Sequence, residues 1–294
     1  MSKIATGIQI LKGEGIEGVF STIQNYHLPQ ARMRFRKRFR SFLTARLGWA
    51  LDRKKTIKID DCNFSLDSPL VKRQHKLELL FDEYELPERQ AIKRFLDPSL
   101  PIVEMGGAIG VVSCLANKKL NDPSRHAVVE ANPLLLPLLE ENKQRNNCQF
   151  QILNAAVGYG APTVEFKVYA DYLASSAHTA DYSHLAPERR SVIEARANAQ
   201  SFQTVGAKAV SLQAILDKYD FPRCTLICDI EGTEKDLVQN EAEVLRQRVE
   251  MIVMEIHAYA LSRKGVREVV AQIQNLGFEL LYDDSDTFVF KRRP

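Results

Sequence analysis

The chain has 294 residues, 45% of them hydrophobic and 26% charged, with a formal net charge of +3. That balance excludes a disordered, collagenous or disulfide-stapled chain and fits a soluble protein with a sizeable core. No apolar run approaches the roughly 20 residues of a membrane-spanning helix, and five cysteines without a dense framework point to a reducing compartment.

The opening residues, MSKIATGIQILKGEG, lack the charged-then-apolar plan of a signal peptide. The expected location is the cytoplasm, with the inner face of the membrane as a peripheral option. Residues 31–55 hold ten Lys or Arg and one Asp, which leaves 30 basic and 36 acidic residues elsewhere. Phe35, Phe39, Phe42, Leu43, Leu47 and Leu51 recur there at helical spacing. Two readings weigh equally: a basic amphipathic helix for an anionic membrane or polyanion, or a helix docked on its own domain. Residues 1–70 read as a basic helical extension with a small hairpin around Asp60-Asp61, and residues 71–294 as the main domain.

From Val71 to Leu96 the periodicity predicts helix. IVEM after Pro101 is a strand, Gly110–Leu120 a helix, and HAVVE a second strand. Asn132 and Pro133 predict a helix start, Asn as N-cap and Pro in the first position; Pro137 is awkward for that start because it lacks an N–H. CQFQIL is a third strand and VEFKVY another. Residues 171–205 are polar and Ala/Ser-rich and read as an insertion with some helix, shaping an acceptor pocket with Ser175, Ser176, His178 and Tyr182. SLQAILDKY is helical, TLICD a buried strand, TEKDLVQNEAEVLR a helix and EMIVMEIH a strand. A helix from about Lys264 to Leu276 and two strands around an Asp/Ser turn close the chain. Strands alternating with helices imply a mainly parallel sheet covered on both faces. The last two strands, with no helix between them, pair antiparallel. Ligands on such sheets bind beyond the carboxyl ends of the strands.

The first strand runs into E-M-G-G-A-I-G, Glu104 to Gly110, a sharp turn where a ligand can approach backbone next to a helix N-terminus. The second strand ends in Glu130, placed to accept both hydroxyls of a ribose. Together they point to a nucleoside-containing cofactor, with NAD and S-adenosylmethionine both open at this stage. In LICDIEGTEKDL, Leu226 to Leu237, Thr233 and Asp236 have the spacing of a capping box. Glu234 suits the positive end of the helix dipole. Asp229 and Glu231 have no such structural explanation. Glu255, followed by His257, ends the next strand. Acids thus finish four major strands, as a site for a positive ligand would require. Cys224 and Cys228 lack a second ligand pair, and they read as packed thiols rather than metal ligands.

The stretch from Glu104 to His257 resembles the FkbM family of methyltransferases. The resemblance lies in YELPE (Tyr84 to Glu88), EMGGAIG, VVEANPLLLPLLEENKQRNN, LNAAVG, LICDIEGTEKDLV and VMEIH, in that order. Four positions differ: the first motif usually reads D-x-G-A-N-x-G, whereas this chain has Glu104, Gly107 and Ala108, and Gln213 stands where the family usually has Asp. The resemblance implies an α/β class I methyltransferase (Rossmann-like) fold, with a mainly parallel seven-stranded sheet ending in an antiparallel hairpin. It implies S-adenosyl-L-methionine as cofactor. Gly106 and Gly110 would line its methionine part with Glu104 nearby, Glu130 would hold the ribose, and Asn154 and Ala155 would lie near the adenine. Asp229 and Glu231 would face the methyl group and the acceptor. Candidate bases for a hydroxyl acceptor are Asp229, Glu231 and His257; a divalent cation on Asp229 and Glu231 is a weaker alternative, and no metal is assigned. The implied reaction is O-methylation, first of all of a sugar hydroxyl in a glycan, glycolipid or related metabolite. Competing readings are an NAD-dependent oxidoreductase or epimerase, and a non-catalytic nucleic-acid- or membrane-binding protein. Against the first, none of the nine tyrosines has Lys four residues on. Against nucleobase methylation, D-I-E-G stands where an aromatic N-P-P-Y motif would be expected, so nucleic acid is not an expected partner.

Overall fold

The computed structural model describes residues 52–169, 202–284 and 286–293. The basic stretch at 31–51 and most of the expected insertion lie outside them. The chain divides into two compact units, one ending at Leu86 and the other running from Pro87 to Pro294.

In the first unit β1 (Thr56–Ile59) and β2 (Cys62–Ser65) form the expected antiparallel hairpin. Asp60 makes its turn at φ 52. Helix α1 spans Arg73–Leu80. The single helix predicted over 71–96 is two, because Asp82 (φ 58) and Glu85 (φ 47) break it before α2 (Leu86–Phe95).

The second unit is built on β3 (Ile102–Met105), β4 (His126–Glu130), β5 (Gln151–Asn154), β9 (Cys224–Cys228), β10 (Val249–Glu255), β11 (Phe278–Asp284) and β12 (Thr287–Arg292). Their order is β11-β12-β10-β9-β3-β4-β5. β10, β9, β3, β4 and β5 pair in parallel, and β12 runs antiparallel between β10 and β11. This is the seven-stranded sheet with a terminal antiparallel hairpin that the resemblance implies. The central strands are apolar on both faces, as a sheet covered by helices requires. Val103, Leu226, Ile252 and Phe290 join one core, and Ile102, Ile227, Val253 and Val289 the opposite one. The strand alternation that separates these sets also aims successive residues of each strand end to opposite sides.

A second, three-stranded sheet contains β6 (Ala156–Val157), β7 (Thr163–Tyr169) and β8 (Phe202–Val210). β8 corrects the sequence reading, which gave residues 202–205 to an insertion with some helix and no clear strand. Pairing with β7 fixes this stretch as a strand.

The helices between the strands are α3 (Val111–Asn117), α4 (Leu136–Arg145), α5 (Leu212–Lys218), α6 (Glu234–Asn240), α7 (Ala242–Arg248) and α8 (Ala258–Asn275). Three expectations need correction. Helix α4 starts at Leu136, not at Pro133, so Pro137 sits in the first turn where no N–H is required. Asn132 instead folds its side chain over the approach, accepting from the Leu134 N–H at 3.0 Å. The helix predicted from Thr233 to Arg246 breaks at Glu241 into α6 and α7. Thr233 caps nothing with its side chain, whose hydroxyl donates back to the Ile230 carbonyl at 3.2 Å. All five cysteines are free and buried. Among the described residues no helix is long and apolar enough to cross a membrane.

Candidate active site

Beyond β3 the chain turns through Gly106 (φ 96), Ala108 (φ 43) and Gly110 (φ 86), and Gly110 is the N-cap of α3. Gly106 is required by contact as well as by φ. A Cβ there would lie 1.8 Å from the backbone oxygen of Asp229. The glycine turn and the end of β9 are therefore in direct backbone contact. The Gly106 and Gly107 N–H groups both donate to the Val129 carbonyl, at 2.9 and 3.0 Å, which ties the turn to β4.

Glu130, the last residue of β4, closes the other side of the turn. Its Oε2 accepts from the Ala108 N–H at 2.8 Å and its Oε1 from the Asn132 N–H at 2.6 Å. Burial pushes its carboxyl up to about 7, against the lowering effect of those N–H groups. Asn154 donates through Nδ2 to the Glu130 carbonyl at 2.9 Å and is exposed beside it. Gly106, Glu130 and Asn154 thus come together at the carboxyl edge of three neighbouring strands.

Two residues assigned to the cofactor lie elsewhere. Glu104 is 1% exposed, with Oε1 accepting from the Ser113 hydroxyl at 2.7 Å and Oε2 3.0 Å from His126 Nε2. It ties α3 to β4 beneath the turn and offers no surface to a ligand. Residue 104 occupies one sheet face by strand alternation, and that face is covered by α3. Ala155 is likewise buried in the main core, its N–H donating to the Glu130 carbonyl.

On the other side of the Gly106 contact stands a cluster of acids around one histidine. His257 follows β10 and is buried. Its Nε2 lies 3.4 Å from Glu231 Oε2, 3.5 Å from Glu255 Oε1 and 3.6 Å from Asp229 Oδ1. Its Nδ1 lies 2.9 Å from Glu234 Oε1, which also accepts from the Gly232 N–H at 2.9 Å. Burial pulls the imidazole pKa down, but the Glu234 bond and the charges of Asp229, Glu234 and Glu231 outweigh it and push it to about 10. His257 therefore holds its proton at neutral pH and is not the base it was expected to be. Glu255 is pushed up to about 7, by burial first and then by Glu88 and Glu231, with His257 opposing. Glu231 sits at φ 51, a conformation that costs a non-glycine residue about 1 kcal/mol or more. The Tyr259 hydroxyl donates to its Oε2, and burial raises that phenol, so it stays protonated.

The sequence reading joined Asp229, Glu231 and His257 correctly in one place but missed two members. Glu234 passed as a helix-dipole acid, yet it is fully buried and holds the imidazole. Tyr259 carried no signal at all, because only the fold brings it to Glu231, 28 positions earlier.

Residues 104–280 match the family described as Methyltransferase FkbM domain. The chain belongs to this family. No curated protein matches the chain at a significant level. Similar solved structures include the methyltransferase FkbM from Methylobacillus flagellatus KT, at 12% identity over 85% of this chain and 60% of that one, with a TM-score of 0.42. A putative O-methyltransferase from Klebsiella pneumoniae shares 11% identity over 70% and 80% of the two chains, with a TM-score of 0.40. M. jannaschii TYW2, in complex with AdoMet, shares 13% over 81% and 86%, with a TM-score of 0.39. At these levels the likeness adds nothing to the strand order described above. The chain spans 60% of the length of the Methylobacillus protein.

The methyl donor of an FkbM methyltransferase is S-adenosylmethionine, and the residues here fit it. Glu130 keeps a second lone pair on each oxygen for ribose hydroxyls. Gly106 and Ala108 are the partly exposed residues of the turn beside it. The carboxylates around Asp229 outnumber the one imidazolium, which suits a sulfonium.

Proposed function

We propose that this FkbM methyltransferase is an O-methyltransferase whose acceptor is a sugar hydroxyl in a glycan, glycolipid or related metabolite. The observation that carries this reading is the carboxylate cluster in backbone contact with the donor turn, through Gly106 and Asp229. A sulfonium methyl is already activated, so positioning supplies much of the catalysis. An alcohol must also lose its proton, and a nearby carboxylate serves that need. Asp229 and Glu231 are the acceptors of that proton in this reading. His257, already charged, positions them through its Nε2 face. Tyr259 orients Glu231 by donating to it.

The test is a labelled-methyl screen of the protein over sugar nucleotides and glycolipids, with product hydrolysis to locate the methyl group. The expected result is label on a sugar oxygen. Asp229→Asn and Glu231→Gln should each lower turnover at least a hundredfold while S-adenosylhomocysteine affinity, measured by calorimetry, changes little. Label on nitrogen, or binding of NAD without S-adenosylhomocysteine, would overturn the reading.

A further inference from the structure

The three carboxylates that face His257 Nε2 stand farther from it than Glu234 stands from Nδ1. A charge-assisted N–H···O bond is about 2.7–2.9 Å long. His257 Nε2 is instead faced by three carboxylate oxygens at 3.4, 3.5 and 3.6 Å, none of which closes to that length. Two ligands at about 2.0–2.2 Å from one metal ion, set at the tetrahedral angle, lie roughly 3.3–3.6 Å apart. The gap around Nε2 is the gap between ligands that share an ion.

We propose that Asp229, Glu255 and His257 form a binding site for a divalent metal ion, which on binding displaces to solvent the Nε2 proton that His257 otherwise holds. Each offers one donor atom, and these atoms all lie within 4.8 Å of one another. The ligands come from the ends of two adjacent parallel strands, β9 and β10, whose register is held by the sheet. The other ring nitrogen of His257 is bonded to buried Glu234, which fixes the ring and aims Nε2 at the acids. Metal-ligating histidines commonly carry such a carboxylate on the second nitrogen. Glu231 stands close but is engaged by the Tyr259 hydroxyl, which leaves one nitrogen and two carboxylates as the donor set. That set suits Mn2+, Zn2+ or Mg2+. The side chains of Asp229 and Glu255 are 31% and 29% exposed, so one side of the site is open to a water or an oxygen ligand. If the O-methyl reading above holds, that open side takes the acceptor hydroxyl, Asp229 acts through the ion and Glu231 is left to take the proton. The metal site itself does not depend on it.

The experiment is a Mn2+ titration of the full chain followed by electron paramagnetic resonance, with S-adenosylhomocysteine binding measured separately in chelator. One Mn2+ per chain is expected. His257→Ala and Glu255→Gln should each weaken it at least tenfold, and Glu279→Gln, an exposed acid on β11, should leave it unchanged. Circular dichroism confirms that each variant is folded, and the near-isosteric Glu255→Gln keeps the test valid if His257→Ala is not. Absence of Mn2+ binding at millimolar concentration overturns the site, as does equal binding by native protein and Glu255→Gln. S-adenosylhomocysteine binding without Mn2+ uptake sinks the metal and spares the methyl-transfer reading; Mn2+ uptake without S-adenosylhomocysteine binding does the reverse.

Discussion

Ala108 occupies a backbone conformation that favours other residues. Its φ of 43 is costly for alanine and easier for asparagine or glycine. The family usually has Asn at this point of the first motif. Ala108→Gly is expected to stabilise the protein by about 0.5–1 kcal/mol in urea unfolding, because its N–H bond to Glu130 survives the change. Glu130 itself makes stability depend on pH. Its folded pKa of about 7 lies above the ordinary carboxyl value of 4.5. Between those values the folded chain keeps a proton that the unfolded chain has lost, so this residue lowers stability as pH rises from 4.5 towards 7 and adds no slope above. The drop is about 3 kcal/mol. Glu130→Gln should remove it, which urea midpoints of both proteins at pH 5 and pH 8 would show. Glu130 and Asp229 were legible as site residues because an acid after an apolar strand run stands out. Glu234 was not, because an acid in a first helical turn has an adequate local reason to be there.

At the scale of elements, helix α8 has its own start signal hidden within it. Ser262 has φ 64 and ψ 163, so the helix proper begins after it, and the Ser262 hydroxyl oxygen accepts from the Gly265 N–H at 3.2 Å. The periodicity predicted a start near Lys264, and the cap explains why. The turn before it, from Ala258, brings Tyr259 to Glu231. Ser262→Ala should cost about 1 kcal/mol by loss of the cap. Ser262→Gly should cost less, because glycine takes that φ freely; thermal unfolding of both variants would separate the two effects. Helix α4 teaches the opposite lesson. Asn132 and Pro133 carry a strong local start signal, but Asn132 makes a turn of its own and the helix begins at Leu136. Both signals are local and legitimate, and packing chose between them.

At the scale of the whole molecule, charge is unevenly spread. The formal net charge is +3, with ten of the 40 basic residues in positions 31–55. We propose that this stretch holds the protein to anionic membrane, where lipid-linked glycans are presented. Each basic residue near such a surface contributes about 1 kcal/mol. Replacing Arg34, Arg36, Arg38 and Arg40 together by Gln should weaken binding to phosphatidylserine vesicles at least tenfold, read by co-sedimentation at low and physiological salt. Unchanged sedimentation would refute the proposal. The sheet places the rest of the chemistry. Its central strands end side by side, so Gly106, Glu130, Asp229 and Glu255 share one edge although up to 149 positions separate Gly106 from Glu255.

By itself the order of residues determined the alternation of strands and helices, the antiparallel ending and the family, because apolar runs, turn residues and short motifs are local properties. It also marked Asp229, Glu231 and His257. Only the tertiary structure decided which face each side chain took. Strand alternation and the helix above it turned Glu104 inward to Ser113 and His126. Strand pairing made β8 out of a stretch with no clear strand signal. The spacing of three acids around one imidazole nitrogen is set by two strand ends and a helix start meeting in space, and no one-dimensional pattern contains it.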